Sequence, residues 1–202
     1  AKAEPGKIVL IQQFYIAASP DRHAENVACL RFNLENEAID KIVLLNEREY
    51  SNAEMGIDDT VCLSKLEQVV IGHRLTYLDA FSYSKNIPAC FVILANTDIF
   101  LDSHVTRIRR CGLGAHRRVI CQLRHEYSEG KELGRCQPFG SESGFPCQSN
   151  SQDAWIWSTK HELPPQLYAA FRLELGTPGC DNAIAHRFGL AGFQRMNVPA
   201  TI

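Results

Sequence analysis

The chain has eight cysteines, at positions 29, 62, 90, 111, 121, 136, 147 and 180, yet no Cys-x-x-Cys pair. The usual zinc-ribbon spacing is therefore absent. It has no His-x-x-x-His or His-Glu-x-x-His pair, which disfavours a zinc hydrolase. Gly-x-Ser-x-Gly, the commonest serine-hydrolase signal, is missing. So are Gly-x-Gly-x-x-Gly and the P-loop pattern, so any bound phosphate must be handled by side-chain cations or a metal. No apolar run approaches the length of a membrane span. No block of five like charges occurs, and the formal net charge is −2, which argues against a non-specific nucleic-acid binder. Arg107, Arg109, Arg110, Arg117 and Arg118 form a local basic cluster that reads as a solvated face, able at most to help hold one anionic ligand. No signal peptide opens the chain, and residues 1–6 read as disordered or tag-like.

What is present fits one α/β domain of 202 residues, enough for a substantial core. Cys29, Cys90 and Cys121 fall in apolar stretches and read as small buried hydrophobes, so reduced thiols in a cytoplasmic protein are expected. Cys136 and Cys147 flank a Gly/Ser-rich stretch and could pair in an oxidising compartment. Lys7 to Phe14 is a continuous apolar run with a polar end, as for a buried strand. Ser19-Pro20 starts a helix that ends between Asn33 and Asn36, and Ile39 to Leu45 is a second strand. This β-α-β unit predicts a parallel pair. Val69 to Ile71, Ala89 to Ala95 and Val119 to Leu123 follow as strands, with a helix from Thr76 to about Lys85 and another over Ser103 to Cys111. Residues 130–150 read as a flexible active-site loop. Ala154 to Trp157 is a short strand or buried turn, Asp181 to Phe188 a helix, and Phe193 to Val198 a last strand.

Three strands end in polar residues: Gln12-Gln13, Asn46-Glu47 and Asn96-Thr97-Asp98. Their convergence at one sheet edge would suit a nucleotide or diphosphate. Asn96 and Asp98 are hard oxygen donors suited to Mn²⁺ or Mg²⁺, although Asn and Asp also favour turns. Arg74 is suited to a bidentate phosphate contact. Asp79 lies in a first helical turn, where the dipole favours a carboxylate without any function. Asp153, beside Trp155, is a candidate general base or a capping residue. Asp181, in Gly179-Cys180-Asp181-Asn182, is ordinary capping chemistry or a carboxylate aimed at a ligand. His125 reads as a structural hydrogen-bonder.

Lys7–Tyr15, Leu44–Glu47, Leu94–Asp102, Gln122–Tyr127, Ser151–Trp157 and Gly176–Ile202 together resemble the GT-A class of nucleotide-sugar glycosyltransferases. Their order and spacing are similar to the compact glycosyltransferase domain of a large chlorella-virus rhamnosyltransferase and its cellular relatives. The resemblance runs from Lys7 to Ile202 and is most specific at Asn96–Phe100, Ser151–Trp155 and Gly179–Asn182. It implies a single GT-A domain with a mostly parallel mixed sheet flanked by helices, possessed of transferase activity and able to belong to a larger multidomain chain. Asn96-Thr97-Asp98 takes the place of the DxD-type motif, with Asp98 as the metal ligand and Asn96 departing from the pattern. Gln13, Phe14, Tyr15, Asn46 and Glu47 would frame the nucleotide, with Arg74 and Asp79 completing that side. Arg124 would face the donor sugar or diphosphate; Asp153, with Asp181 as a second candidate, would face a glycan acceptor. The expected donor is UDP-linked. The alternatives are a nucleotidyltransferase, which normally carries a Gly-rich basic loop after its first strand, and a non-catalytic carbohydrate-binding domain using Trp155 and Trp157. Residues 12–21 contain neither Gly nor Lys.

Overall fold

The computed structural model describes residues 5–58, 63–88, 90–124, 127 and 152–197. The expectations for residues 1–4, for the 130–150 loop and for His125 fall outside them, as do Cys62, Cys136 and Cys147. Seven strands form one sheet: β1 (Lys7–Gln12), β2 (Lys41–Asn46), β3 (Leu66–Val70), β4 (Cys90–Ala95), β5 (Arg118–Leu123), β6 (Gln152–Ser158) and β7 (Gln194–Met196). Their order is β3-β2-β1-β4-β6-β5-β7. All pairs are parallel except those of β6, which runs antiparallel to both β4 and β5. The helices are α1 (Pro20–Glu35), α2 (Tyr77–Ser84) and α3 (Cys180–Leu190).

The strands β1, β2 and β4 are apolar on both faces because both faces are covered. Val9, Ile11, Val92, Leu94, Trp155 and Trp157 point to the layer of α2 and α3. Ile8, Leu10, Phe91, Ile93 and Ile156 point to α1 and to the turn of helix at Ser103–Arg110. The alternation follows the period of two of a pleated strand. Phe81 stacks on Trp157 at 4.2 Å between centroids, with Phe171 and Phe188 packed edge-on or tilted around it. Both tryptophans are fully buried, so neither is a sugar platform.

Several boundaries differ from the sequence reading. Ser103–Arg110 is a 3₁₀ helix. Pro165–Phe171, unassigned from sequence, is another and packs against α2. Strand β6 is longer than expected and takes in Gln152 and Asp153, so Asp153 is a strand residue rather than part of a preceding loop. The chain builds outward from β1 to β2 and β3, then returns to β4 on the other side of β1. This reversal opens a crevice beyond the carboxyl ends of β1 and β4.

Candidate active site

That crevice is a cavity of about 670 Å³. Gln13, Tyr15, Glu47, Arg74, Asn96, Thr97, Asp98, Arg124 and Asp153 all line it, so nine residues singled out from sequence meet in one place. β6 makes this possible: running backwards, it brings its first residues to the edge where β4 ends. The backbone N–H of Asn96 donates to the Asp153 carbonyl at 3.1 Å, and the Asn96 side-chain Nδ2 donates to Asp153 Oδ1 at 2.8 Å. Arg124, just past β5, donates from Nη1 to Asp153 Oδ2 at 3.0 Å.

Asp153 is nearly buried. Burial raises its pKa above the usual carboxylate range. Arg124 and the Asn96 amide pull the other way, and the negative charge of Asp98 adds to the rise. A carboxylate so placed suits a general base. Asp98 also faces a cation: Arg22 Nη2 donates to its Oδ2 at 2.8 Å. The acceptor Asn96 Oδ1 is buried and has no hydrogen-bond partner. It faces Gly176, where an added Cβ would stand 3.9 Å from Oδ1 and 3.4 Å from Arg74 Nη2. Those are ordinary van der Waals distances; it is the φ of +72° at Gly176 that disfavours a side chain there.

A second set of polar residues shapes the cavity from behind. Gln13 is buried; its Nε2 donates to the carbonyls of Leu45 and His73, and its Oε1 accepts from Leu75 N. Asn46 is fully buried; its Oδ1 accepts from Phe14 N at 2.8 Å and its Nδ2 donates to Gln68. Gln12 Nε2 donates to the carbonyls of Asn96 and Ile99. Asn33 on α1 donates to Gln12 and Ile99 and accepts from Leu101 N. Thr97 Oγ1 donates to Gln13 O at 2.5 Å, joining the segments after β1 and β4.

Four expected contacts are corrected. Phe14 is a core residue set edge-on against Tyr50, and Asn46 is fully buried, so neither side chain is part of the cavity lining. Asp79 closes a capping box with Thr76 and bonds His73, outside the cavity lining. Asp181 stands in the first turn of α3 and is not part of the lining, so it is not gathered with Asp153.

Sequence reading missed Arg22, Arg48, Tyr50, Ile16 and Leu175, all of which line the cavity. One signal was available. Arg22 sits in the first turn of α1, where the helix dipole favours acids over cations. A cation there asks for a separate reason. The others carry no local pattern that marks them.

The donor set fits a divalent cation in part. Among the described residues no three His, Cys, Asp or Glu side chains group into a complete site. Asp98 and the unpartnered Asn96 Oδ1 are hard oxygens, and a diphosphate would have to supply most of the shell. Among the described residues, no helix is long and apolar enough to cross a membrane.

No protein-family model matches the chain, and no curated protein matches it. Solved structures do. One is 4-diphosphocytidyl-2C-methyl-D-erythritol synthase from Anaerococcus prevotii, at 12% identity and TM-score 0.52, over 96% of this chain and 86% of that one. Another is described as a glucose-1-phosphate thymidylyltransferase from Bacillus anthracis, in complex with sucrose. It is 10% identical with TM-score 0.50, over 96% of this chain and 87% of that one. The protein therefore shares the fold of these two structures, an α/β fold with a mostly parallel mixed sheet flanked by helices. At these identities the likeness speaks to fold alone.

Proposed function

We propose that the protein is a glycosyltransferase that moves a sugar from a UDP-linked donor to a hydroxyl of a glycan acceptor. The observation that carries this reading is Asp153, a nearly buried carboxylate of raised pKa held between Asn96 and Arg124 in a cavity lined by both arginines and carboxylates. Arg22, Arg48, Arg74 and Arg124 line the same space. Arg74 makes no ion pair among the described residues; its Nε donates to Leu175 O. Its remaining donors suit a phosphate or a base carbonyl. Glu47, an acceptor, beside these donors complements the N–H and C=O edge of uracil, and Tyr15, 39% exposed, offers a ring face to the base.

In the proposed reaction the acceptor oxygen forms a bond to the anomeric carbon, and the bond from that carbon to the diphosphate oxygen breaks. Its electron pair leaves with the diphosphate, whose charge the cavity arginines offset. In an inverting transfer Asp153 takes the hydroxyl proton; in a retaining one the diphosphate oxygen does, and Asp153 stabilises the positive centre. Asn96 holds the Asp153 carboxylate in place in either case. Mn²⁺ or Mg²⁺, held by Asp98 and Asn96 Oδ1, would supply further charge neutralisation of the leaving group. The resemblance to viral rhamnosyltransferase domains extends this proposal to a hexosyl or rhamnosyl donor and to a place within a larger chain.

A second reading, a sugar-nucleotide nucleotidyltransferase, is favoured by the names of the two similar structures. Residues 12–21 weigh against it, because they offer no Gly-rich or lysine-bearing cradle for a triphosphate. The deciding experiment screens UDP-sugars for hydrolysis, and nucleoside triphosphates with sugar phosphates for pyrophosphate release. Hydrolysis that is lost in Asp153→Asn supports the glycosyltransferase. Pyrophosphate release overturns it.

A further inference from the structure

We propose that Arg22 is a built-in counter-ion for Asp98, holding the position that a divalent cation must take when the site is loaded. This rests on the glycosyltransferase reading only in taking Asp98 as the cation-binding carboxylate.

Arg22 projects from the first turn of α1, and Asp98 follows β4, 76 residues away in sequence. The helix dipole works against a cation at that turn. Two carboxylates offset this: Nη1 donates to Glu25 Oε2 at 2.7 Å, and Nη2 donates to Asp98 Oδ2 at 2.8 Å. A guanidinium keeps its charge in proteins, so Arg22 cannot vacate Asp98 by losing its proton. It must move instead.

The geometry permits movement. The Arg22 side chain is 48% exposed, whereas that of Asp98 is 19% exposed. Glu25 lies one turn along the same helix and can keep hold of the guanidinium after Asp98 lets go. Pairs exposed on one side are held weakly, because water competes for both partners. Both Arg22 and Asp98 line the cavity, so the displaced guanidinium remains beside any bound diphosphate. The arrangement makes Asp98 a poor site for a cation alone and a better one when an anionic donor draws Arg22 away.

The test uses Mn²⁺ alone, without nucleotide, and reads free Mn²⁺ by electron paramagnetic resonance. Arg22→Gln should bind Mn²⁺ roughly fivefold more tightly than the parent protein. Arg22→Lys, which keeps the charge, should stay near the parent. Adding Asp98→Asn to Arg22→Gln should abolish the gain. Unchanged or weaker Mn²⁺ binding in Arg22→Gln overturns the proposal, as does an absence of Mn²⁺ binding in all variants. A gain that survives Asp98→Asn overturns it too. Calorimetric titration of UDP into the parent in metal-free buffer and then with Mn²⁺ separates the two readings. No UDP binding in either buffer counts against the glycosyltransferase, whereas the Arg22 proposal stands or falls on the Mn²⁺ measurement.

Discussion

Gln13 and Asn46 stand at strand ends, as Asp98 and Asp153 do, but the two pairs use their polar atoms differently. The amides of Gln13 and Asn46 are bonded on both sides to backbone or to a neighbouring amide. Asp98 and Asp153 line the cavity and are met there by Arg22 and Arg124. One layer fixes backbone; the other pairs opposite charges at the cavity. A polar residue at a strand end is thus not evidence of a ligand contact until its partners are known.

Substitution should separate the layers. The largest effect is expected from Asp153→Asn, which should lower turnover about 10²–10⁴-fold while leaving UDP affinity nearly unchanged. Steady-state kinetics beside calorimetry would show this, and a matching loss of UDP affinity would dissolve the distinction. Asn46→Ala should behave in the opposite way. It leaves the buried Phe14 N–H without its acceptor, at a cost of about 1–3 kcal/mol in urea unfolding. Stability equal to the parent would show that the amide layer is not structural.

Asp153 also predicts pH behaviour. Its pKa lies above the ordinary carboxylate value, so activity should decline as pH falls through that raised value. Stability has the opposite sign. The folded state holds the proton more strongly, so this contribution is full below the ordinary carboxylate pKa and lost as pH rises through the raised one. Asp153→Asn should remove the stability trend; melting curves between these values that keep it would assign the trend to another group. The smallest effect is expected from Thr97→Val, about 0.5–1.5 kcal/mol from the lost bond to Gln13 O, read as a small shift in urea midpoint.

Much of the frame was legible because buried parallel strands announce themselves as continuous apolar runs: β1, β2 and β4 fall within two residues of their expected bounds. The meeting of Asp98, Arg124 and Asp153 in one cavity followed from strand ends sharing an edge. The reversed direction of β6 was not legible, since pairing partners leave no local trace. Phe14 and Asn46 were misplaced for the same reason: residues just past a strand turn inward or outward according to tertiary contacts. Asp79 and Asp181 show another limit, because a carboxylate in a first helical turn satisfies capping and dipole requirements whether or not a ligand is near.

The antiparallel course of β6 has a consequence for how this protein can vary. Leu123 at the end of β5 is the Cα partner of Gln152 at the start of β6. The two ends of the connection, Leu123 and Gln152, therefore lie side by side in the sheet, next to the cavity residues Arg124 and Asp153. Closing such a connection costs only about 0.6 kcal/mol more for each doubling of its length. Insertions there can be long without disturbing strand order or the Asp153 carboxylate.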